Sequence, residues 1–237
     1  MIDIYEKQQI LIEELKQNGV SLVGFGDISV LGTELAKTYP VAISLGLKYD
    51  NRFVDNLHSD EESFHNHLVA LNESLNNLIA IVKKLLNQWG YHYEIPPIAV
   101  LIQDNHQLRN LREFPHKTAA TCAGLGWIGK CALLITREFG PRIKLATVLT
   151  NANFKTAEPI VADQCGRCYL CVKACPHQAI HNKNWYRGII RDSLINAYLC
   201  NEKRLQYVSK IGRKHSCSLC LQACKVGRST VNGQDFT

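Results

Sequence analysis

The feature that most constrains this chain is the cysteine spacing across residues 165–176: Cys165, Cys168, Cys171 and Cys175, followed at once by Pro176. Cysteines at every third position, then one more after three residues and a proline, form the ligand run of a cubane iron–sulfur cluster. The first three thiolates hold one cluster in a tight loop, and the fourth points away to a second. Such a run predicts a partner run. Cys217, Cys220 and Cys224 supply it, and Cys200 stands alone between the two groups.

Ligand arithmetic then closes on two four-cysteine sets. Cys165, Cys168 and Cys171 go with Cys224; Cys175 goes with Cys217, Cys220 and, by elimination, Cys200. A zinc ribbon would use two cysteine pairs and stop, and a disulfide framework belongs to short secreted chains. Two 4Fe-4S clusters are the expectation. Cys122 and Cys131 are left over and read as buried small apolar residues, the usual place of a free cysteine.

At 237 residues and 46% hydrophobic, the chain has room for a large domain besides the cluster segment. No basic, apolar and small-residue leader opens it, and no apolar run is long enough to span a bilayer. A cytoplasmic location without membrane attachment is expected, in keeping with free thiols. The net charge of +6 is unevenly placed: residues 151–237 carry 13 Lys and Arg against 5 Asp and Glu, whereas residues 1–150 carry 14 against 16. Part of the excess offsets cluster thiolates. The remainder, including Lys203, Arg204, Lys210 and Arg213, suits an acidic electron donor such as a flavodoxin or ferredoxin, or a nucleic-acid backbone.

Before the cysteines the pattern alternates between helix and strand. Ile4, Ile10, Leu11 and Leu15 mark an amphipathic helix stopped at Asn18-Gly19, and residues 20–25 and 40–47 read as strands. Ser59 opens a capping box for the longest helix, whose apolar face runs from Phe64 through Leu71, Leu78 and Val82 to Trp89. Residues 98–102 read as a strand. Residues 131–135 and 143–149 read as two more, forming a hairpin across Gly140-Pro141. Such a pattern predicts an α+β sheet domain over residues 1–155, with a linker from about 150 to 163 and a cluster domain over 156–237. A helix over about 191–211 is expected to carry Cys200. Gly24-x-Gly26 lacks the third glycine of a dinucleotide fingerprint, and His65 and His67, two apart, cannot share a helix face.

Between the strands lies a loop with three glycines in six residues: Gly124, Leu125, Gly126, Trp127, Gly129 and Lys130. Glycines at this density let a backbone turn tightly and approach a flat or phosphorylated ligand, so these six residues are the candidate cofactor-binding loop. Its spacing is not that of a Walker A loop. Lys130 and Arg142 are equally placed to meet a phosphate or to lie on the surface.

The glycine loop, the strand pair after it, the run from Cys165 to Pro176, the lone Cys200 and the final cysteine triplet together resemble the epoxyqueuosine reductase family, relatives of corrinoid-dependent reductive dehalogenases. The resemblance implies a nitroreductase-like α/β sheet domain followed by a small bacterial-ferredoxin-like double 4Fe-4S domain. It places Cys200 in the second cluster and implies cobalamin beside one cluster, with electrons passing through the clusters to cobalt. It also implies tRNA as substrate, and a corrinoid protein is a further candidate partner. Two departures stand out. Where the family carries an acidic proton donor before the glycine loop, gapless counting finds Asn110, whose amide cannot act as a general acid; His116, Glu113 or Tyr93 are the substitutes at hand. Lys225 stands where the family has a proline, and the chain runs thirteen residues past Cys224, which reads as a short branch with a changed substrate. Catalysis is therefore assigned to His116 and Asn110, and a two-cluster electron carrier without catalysis is the alternative.

Overall fold

The computed structural model describes residues 2–98, 114–203 and 217–228. Its first element, α1 (Ile4–Gln17), starts at a reciprocal capping box: the Asp3 carboxylate accepts from the Glu6 amide, and the Glu6 side chain accepts from the Asp3 amide. Each satisfies a donor that the first helical turn leaves orphaned. The helix ends at Asn18 and Gly19, the latter at a φ of 85°. The chain then enters β1 (Leu22–Asp27), passes through α2 (Glu34–Thr38) and returns in β2 (Val41–Lys48).

A short α3 (Asn51–Asp55) precedes α4 (Glu61–Gln88), the long helix. Its cap is Asp60 rather than Ser59: the Asp60 carboxylate accepts from the Ser63 amide, while the Ser59 hydroxyl donates to the Asn56 carbonyl. A carboxylate at the positive end of the helix dipole is the better charged cap. Leu71, Leu75, Leu78, Val82 and Leu86 form its buried stripe.

Beyond α4 come β3 (Tyr93–Glu94), α5 (His116–Cys122), β4 (Trp127–Ile128), β5 (Leu134–Ile135) and β6 (Ile143–Thr150). The main sheet has the order β1-β2-β6-β3 with every pairing antiparallel. The fold is thus mixed α+β, with no doubly wound parallel sheet among the described residues. The expected hairpin across Gly140-Pro141 does not form. β5 pairs with β4 in a separate two-stranded sheet, and β6 pairs along its whole length with β2, Val41 opposite Thr150 and Lys48 opposite Ile143. Ala132, at a φ of 58°, turns the chain between Cys131 and β5, so the strand expected over 131–135 shrinks to its last two residues. The strand expected over 98–102 lies outside the described residues, apart from Ile98.

The central strand β2 is buried on both faces. Val41, Ile43 and Leu45 face α1 and α4 in the main core, with Leu11, Leu75 and Leu78. Ala42 faces the other way, toward Ala119 and Cys122 of α5. The period of two along a strand makes this division. Small residues let α5 press close: a Cβ on Gly26 would meet the Ala123 nitrogen at 2.6 Å, and one on Gly24 the Ala123 carbonyl oxygen at 2.9 Å. Gly24-x-Gly26 is therefore a helix-on-strand contact.

The stretch expected as a linker is held down. Ala152 and Phe154 are buried in the main core. The Gln8 amide brackets Lys155, donating to its carbonyl and accepting from its N–H at 2.9 Å each. The Ile160 N–H donates to the Thr121 carbonyl. Three short helices follow: α6 (Leu170–Ala174), α7 (Arg191–Leu194) and α8 (Leu219–Ala223). The helix expected over 191–211 is interrupted, because Ile195 pairs with Ile180; helix resumes over 197–203, where the Asn196 side chain accepts from the Leu199 amide.

Candidate functional site

Cys165 starts a loop that local hydrogen bonds shape. The Asp163 carboxylate accepts from the Cys165 amide at 2.7 Å, Gly166 takes a φ of 53°, and the Cys168 amide donates back to the Cys165 carbonyl. α6 then packs against α8, which brings the end of the second cysteine run to the first. Burial pushes the Cys224 thiol up to about 11, and the fields of Cys165, Cys171 and Cys168 add to the rise. Cys165, Cys171 and Cys224 pack against one hydrophobic cluster. Among the described residues, no three His, Cys, Asp or Glu side chains close on a point fit for a single metal ion.

The second set is distributed over three places. Cys175 follows α6 and its sulfur accepts from the Ala179 amide at 3.4 Å; Cys200 lies in the helical stretch 197–203; Cys217 and Cys220 lie before and within α8. Cys175 and Cys220 pack against the same core as Cys131, Trp127 and Ile135.

The glycine loop lies against Cys165. The Trp127 indole N–H points at the Cys165 sulfur, 3.4 Å away, and the Lys130 backbone N–H donates to it as well. A Cβ on Gly129 would lie 3.5 Å from that sulfur and 2.8 Å from an Ile135 side-chain carbon. Gly126 faces the Ile135 carbonyl, and Gly124 lies 3.0 Å from the Glu158 carbonyl oxygen, measured from where its Cβ would be. Leu125 packs into the hollow left by Gly24. Lys130 is only 4% exposed and donates to the Asn182 side-chain oxygen at 3.1 Å. Each candidate cofactor-loop residue is thus engaged with protein, Cys165 among its neighbours.

Cys131 is buried, as Cys122 is, but its surroundings are unlike those of an ordinary core thiol. It contacts Cys171 of the first set and Cys220 of the second. Contact with Cys171 works to lower its pKa, but contact with Cys220 together with burial prevails, and the thiol is pushed up. The next residue, Ala132, offers its carbonyl to the Lys117 ammonium at 2.5 Å. Nothing in the cysteine spacing distinguishes Cys131, because its position depends on the turn at Ala132.

Lys117 belongs to an open cleft of about 440 Å³ between the start of α5, β5 and β6. The protein around it desolvates the ammonium and lowers its pKa, although the side chain stays open to solvent on the cleft side. His116 also lines the cleft, yet both ring nitrogens are engaged: Nδ1 with the Thr147 hydroxyl at 2.9 Å and Nε2 with the Pro97 carbonyl at 2.8 Å. Since a carbonyl only accepts, Nε2 carries the proton and Nδ1 accepts from Thr147. Burial lowers the His116 pKa, which favours this neutral form. Asn110 and Glu113 lie outside the described residues. Tyr93 sits on edge strand β3, where its hydroxyl accepts from the Asn87 side chain.

Arg142 is 1% exposed. It pairs with Asp55 at 3.0 Å and reaches the Cys224 carbonyl at 3.5 Å, tying the last cluster cysteine to the sheet domain. Neither a phosphate role nor a surface one is its observed place.

Comparison with known proteins agrees with this geometry. A model of the 4Fe-4S binding domain matches residues 158–181. Epoxyqueuosine reductases of Bacillus anthracis and Bacillus subtilis are 32% and 33% identical to the chain over 128 residues. That match covers 52% of this chain and 31% of each relative, so it spans about a third of their length. Among solved structures, epoxyqueuosine reductase from Bacillus subtilis superimposes with a TM-score of 0.62 at 20% identity, covering 99% of this chain and 68% of that one. A catabolic reductive dehalogenase gives a TM-score of 0.72 at 15% identity, covering 98% of this chain and 33% of that one. In sequence over half its length the chain is similar to epoxyqueuosine reductases, and in fold over nearly all of it the chain is like both groups.

Proposed function

We propose that this chain is an epoxyqueuosine-reductase-like iron–sulfur reductase that carries two 4Fe-4S clusters and passes electrons one at a time toward the cleft at Lys117. The observation that carries this reading is the position of Cys131 and Ala132. Cys131 contacts one cysteine from each proposed cluster, and Ala132 is hydrogen-bonded to Lys117 in the cleft wall. Cys168 is exposed, as are Arg167 and Lys173, a basic surface suited to an acidic flavodoxin or ferredoxin.

The resemblance implies cobalamin as the acceptor, and a reductive dehalogenase of like fold is described as B12-dependent. The described residues do not form a cradle for it. The glycines of the loop face protein, and the cleft among the described residues has a volume of about 440 Å³.

The test is an anaerobic reconstitution in which iron, sulfide and the absorption of added cobalamin are recorded together. Iron for two clusters and reduction by a flavodoxin support the reductase. A base-off shift of cobalamin at one equivalent would establish the corrinoid reading against the fit argued here. Iron for one cluster, or none reducible, overturns the proposal. An epoxyqueuosine reductase of this fold has been solved with a modified tRNA stem loop; if tRNA is also the substrate here, binding will fall steeply with salt.

A further inference from the structure

The cleft has a chemistry that electron delivery does not explain. Phe114, Leu134, Ile143 and Leu145 give it an apolar floor and wall, and three cations, Lys117, Lys144 and Arg191, reach its lining. No carboxylate lines it among the described residues. Arg191 is paired with Asp192 at 3.1 Å, and Lys117 has the Ala132 carbonyl. Lys144, on β6, is half-buried, and among the described residues no ion pair or hydrogen bond is made to its ammonium.

Partial burial of an ammonium with no counter-charge among the described residues costs stability, a cost that an anionic ligand would offset. The burial of Lys144 does hold its pKa down. Beside it the apolar floor offers the larger contact area. A molecule complementary to both has an apolar body and one anionic group.

We propose that this cleft binds a small organic anion, an apolar body carrying one carboxylate or phosphate, with Lys144 as its charge partner. As the identity of the substrate class, this rests on the reductase reading above; as a binding site, it does not. The cavity volume of about 440 Å³ falls within the range for small-molecule sites.

The experiment is calorimetric titration of the full chain, anaerobically reconstituted, with benzoate, phenyl phosphate and the neutral benzyl alcohol. The two anions are expected to bind at least about tenfold more tightly than the alcohol, as one charge-assisted hydrogen bond provides. Lys144→Gln should remove that advantage and leave alcohol binding unchanged, whereas Lys16→Gln, the same charge change on exposed α1, should leave all three unchanged. Iron content and circular dichroism of both variants establish that they are folded. Equal affinity for alcohol and anions overturns the proposal, as does undiminished anion binding in Lys144→Gln. So does a tRNA stem loop that binds at the cleft and is not displaced by benzoate. Anion binding by a chain whose clusters cannot be reduced would retain the site and remove the reductase reading; the converse result would do the opposite.

Discussion

The indole N–H of Trp127 lies 3.4 Å from the sulfur of Cys165, on a side chain only 3% exposed. The pair joins two segments that the sequence separates by 38 positions. Hydrogen bonds to cluster sulfurs favour the more negative, reduced state and raise the potential. Trp127→Phe keeps the ring and removes the donor. The expected result is a fall in the first cluster's potential on the order of tens of millivolts, given a net hydrogen bond of about 1 kcal/mol and 59 mV per tenfold in a one-electron couple. An electron-paramagnetic-resonance redox titration reads it, and an unmoved potential would show that the contact does not tune the cluster.

Cys131 and Cys224 provide a contrast between neighbour and ligand. Cys224→Ser should remove the iron of one cluster and leave the other's spectrum intact. Cys131→Ser should retain the iron of both, because Cys131 belongs to neither quartet. Iron analysis with low-temperature spectroscopy separates the two outcomes; loss of a cluster in Cys131→Ser would make it a ligand.

At Gly26 the close approach of α5 leaves no room for a side chain. Gly26→Ala places a methyl against backbone atoms of Cys122 and Ala123, and overpacking of this kind costs about 1–3 kcal/mol. Because α5 leads directly into the glycine loop, the variant should also release iron faster to a chelator. Urea denaturation and chelator kinetics measure the two effects, and an unaltered midpoint would contradict the packing.

His116 is held neutral in the folded chain, with its pKa below the ordinary 6.5. In the unfolded chain it takes up a proton first as pH falls, so protonation favours unfolding. Its contribution is complete above about pH 6.5 and is lost as pH falls toward the lowered value. His67 behaves in the same direction for the same reason, burial. His116→Gln should therefore flatten, without abolishing, the fall in urea midpoint between about pH 7 and 5. Parallel slopes for the two proteins would remove His116 from the acid sensitivity.

The limits of reading from sequence are clearest at the glycine loop. Residues 124–130 carry the marks of a ligand-binding turn, and a close approach is what the glycines serve. The approaching groups are Ile135, Glu158 and Cys165, all distant in sequence. The apolar stripe of α4 and the strands at 22–27 and 41–48 depend on local spacing, which the sequence states directly. The proposed cluster ligands rest on the same kind of ground, since cysteine spacing within one loop is a short-range rule. What only the tertiary structure decided is the environment around that loop: the pairing of β6 with β2 instead of β5, the position of Cys131 against Cys171 and Cys220, the anchoring of Cys224 by Arg142, and the meeting of Lys117, Lys144 and Arg191 at one cleft. These depend on which surfaces meet when separate elements are buried together, and neither residue type nor spacing along the chain encodes that locally.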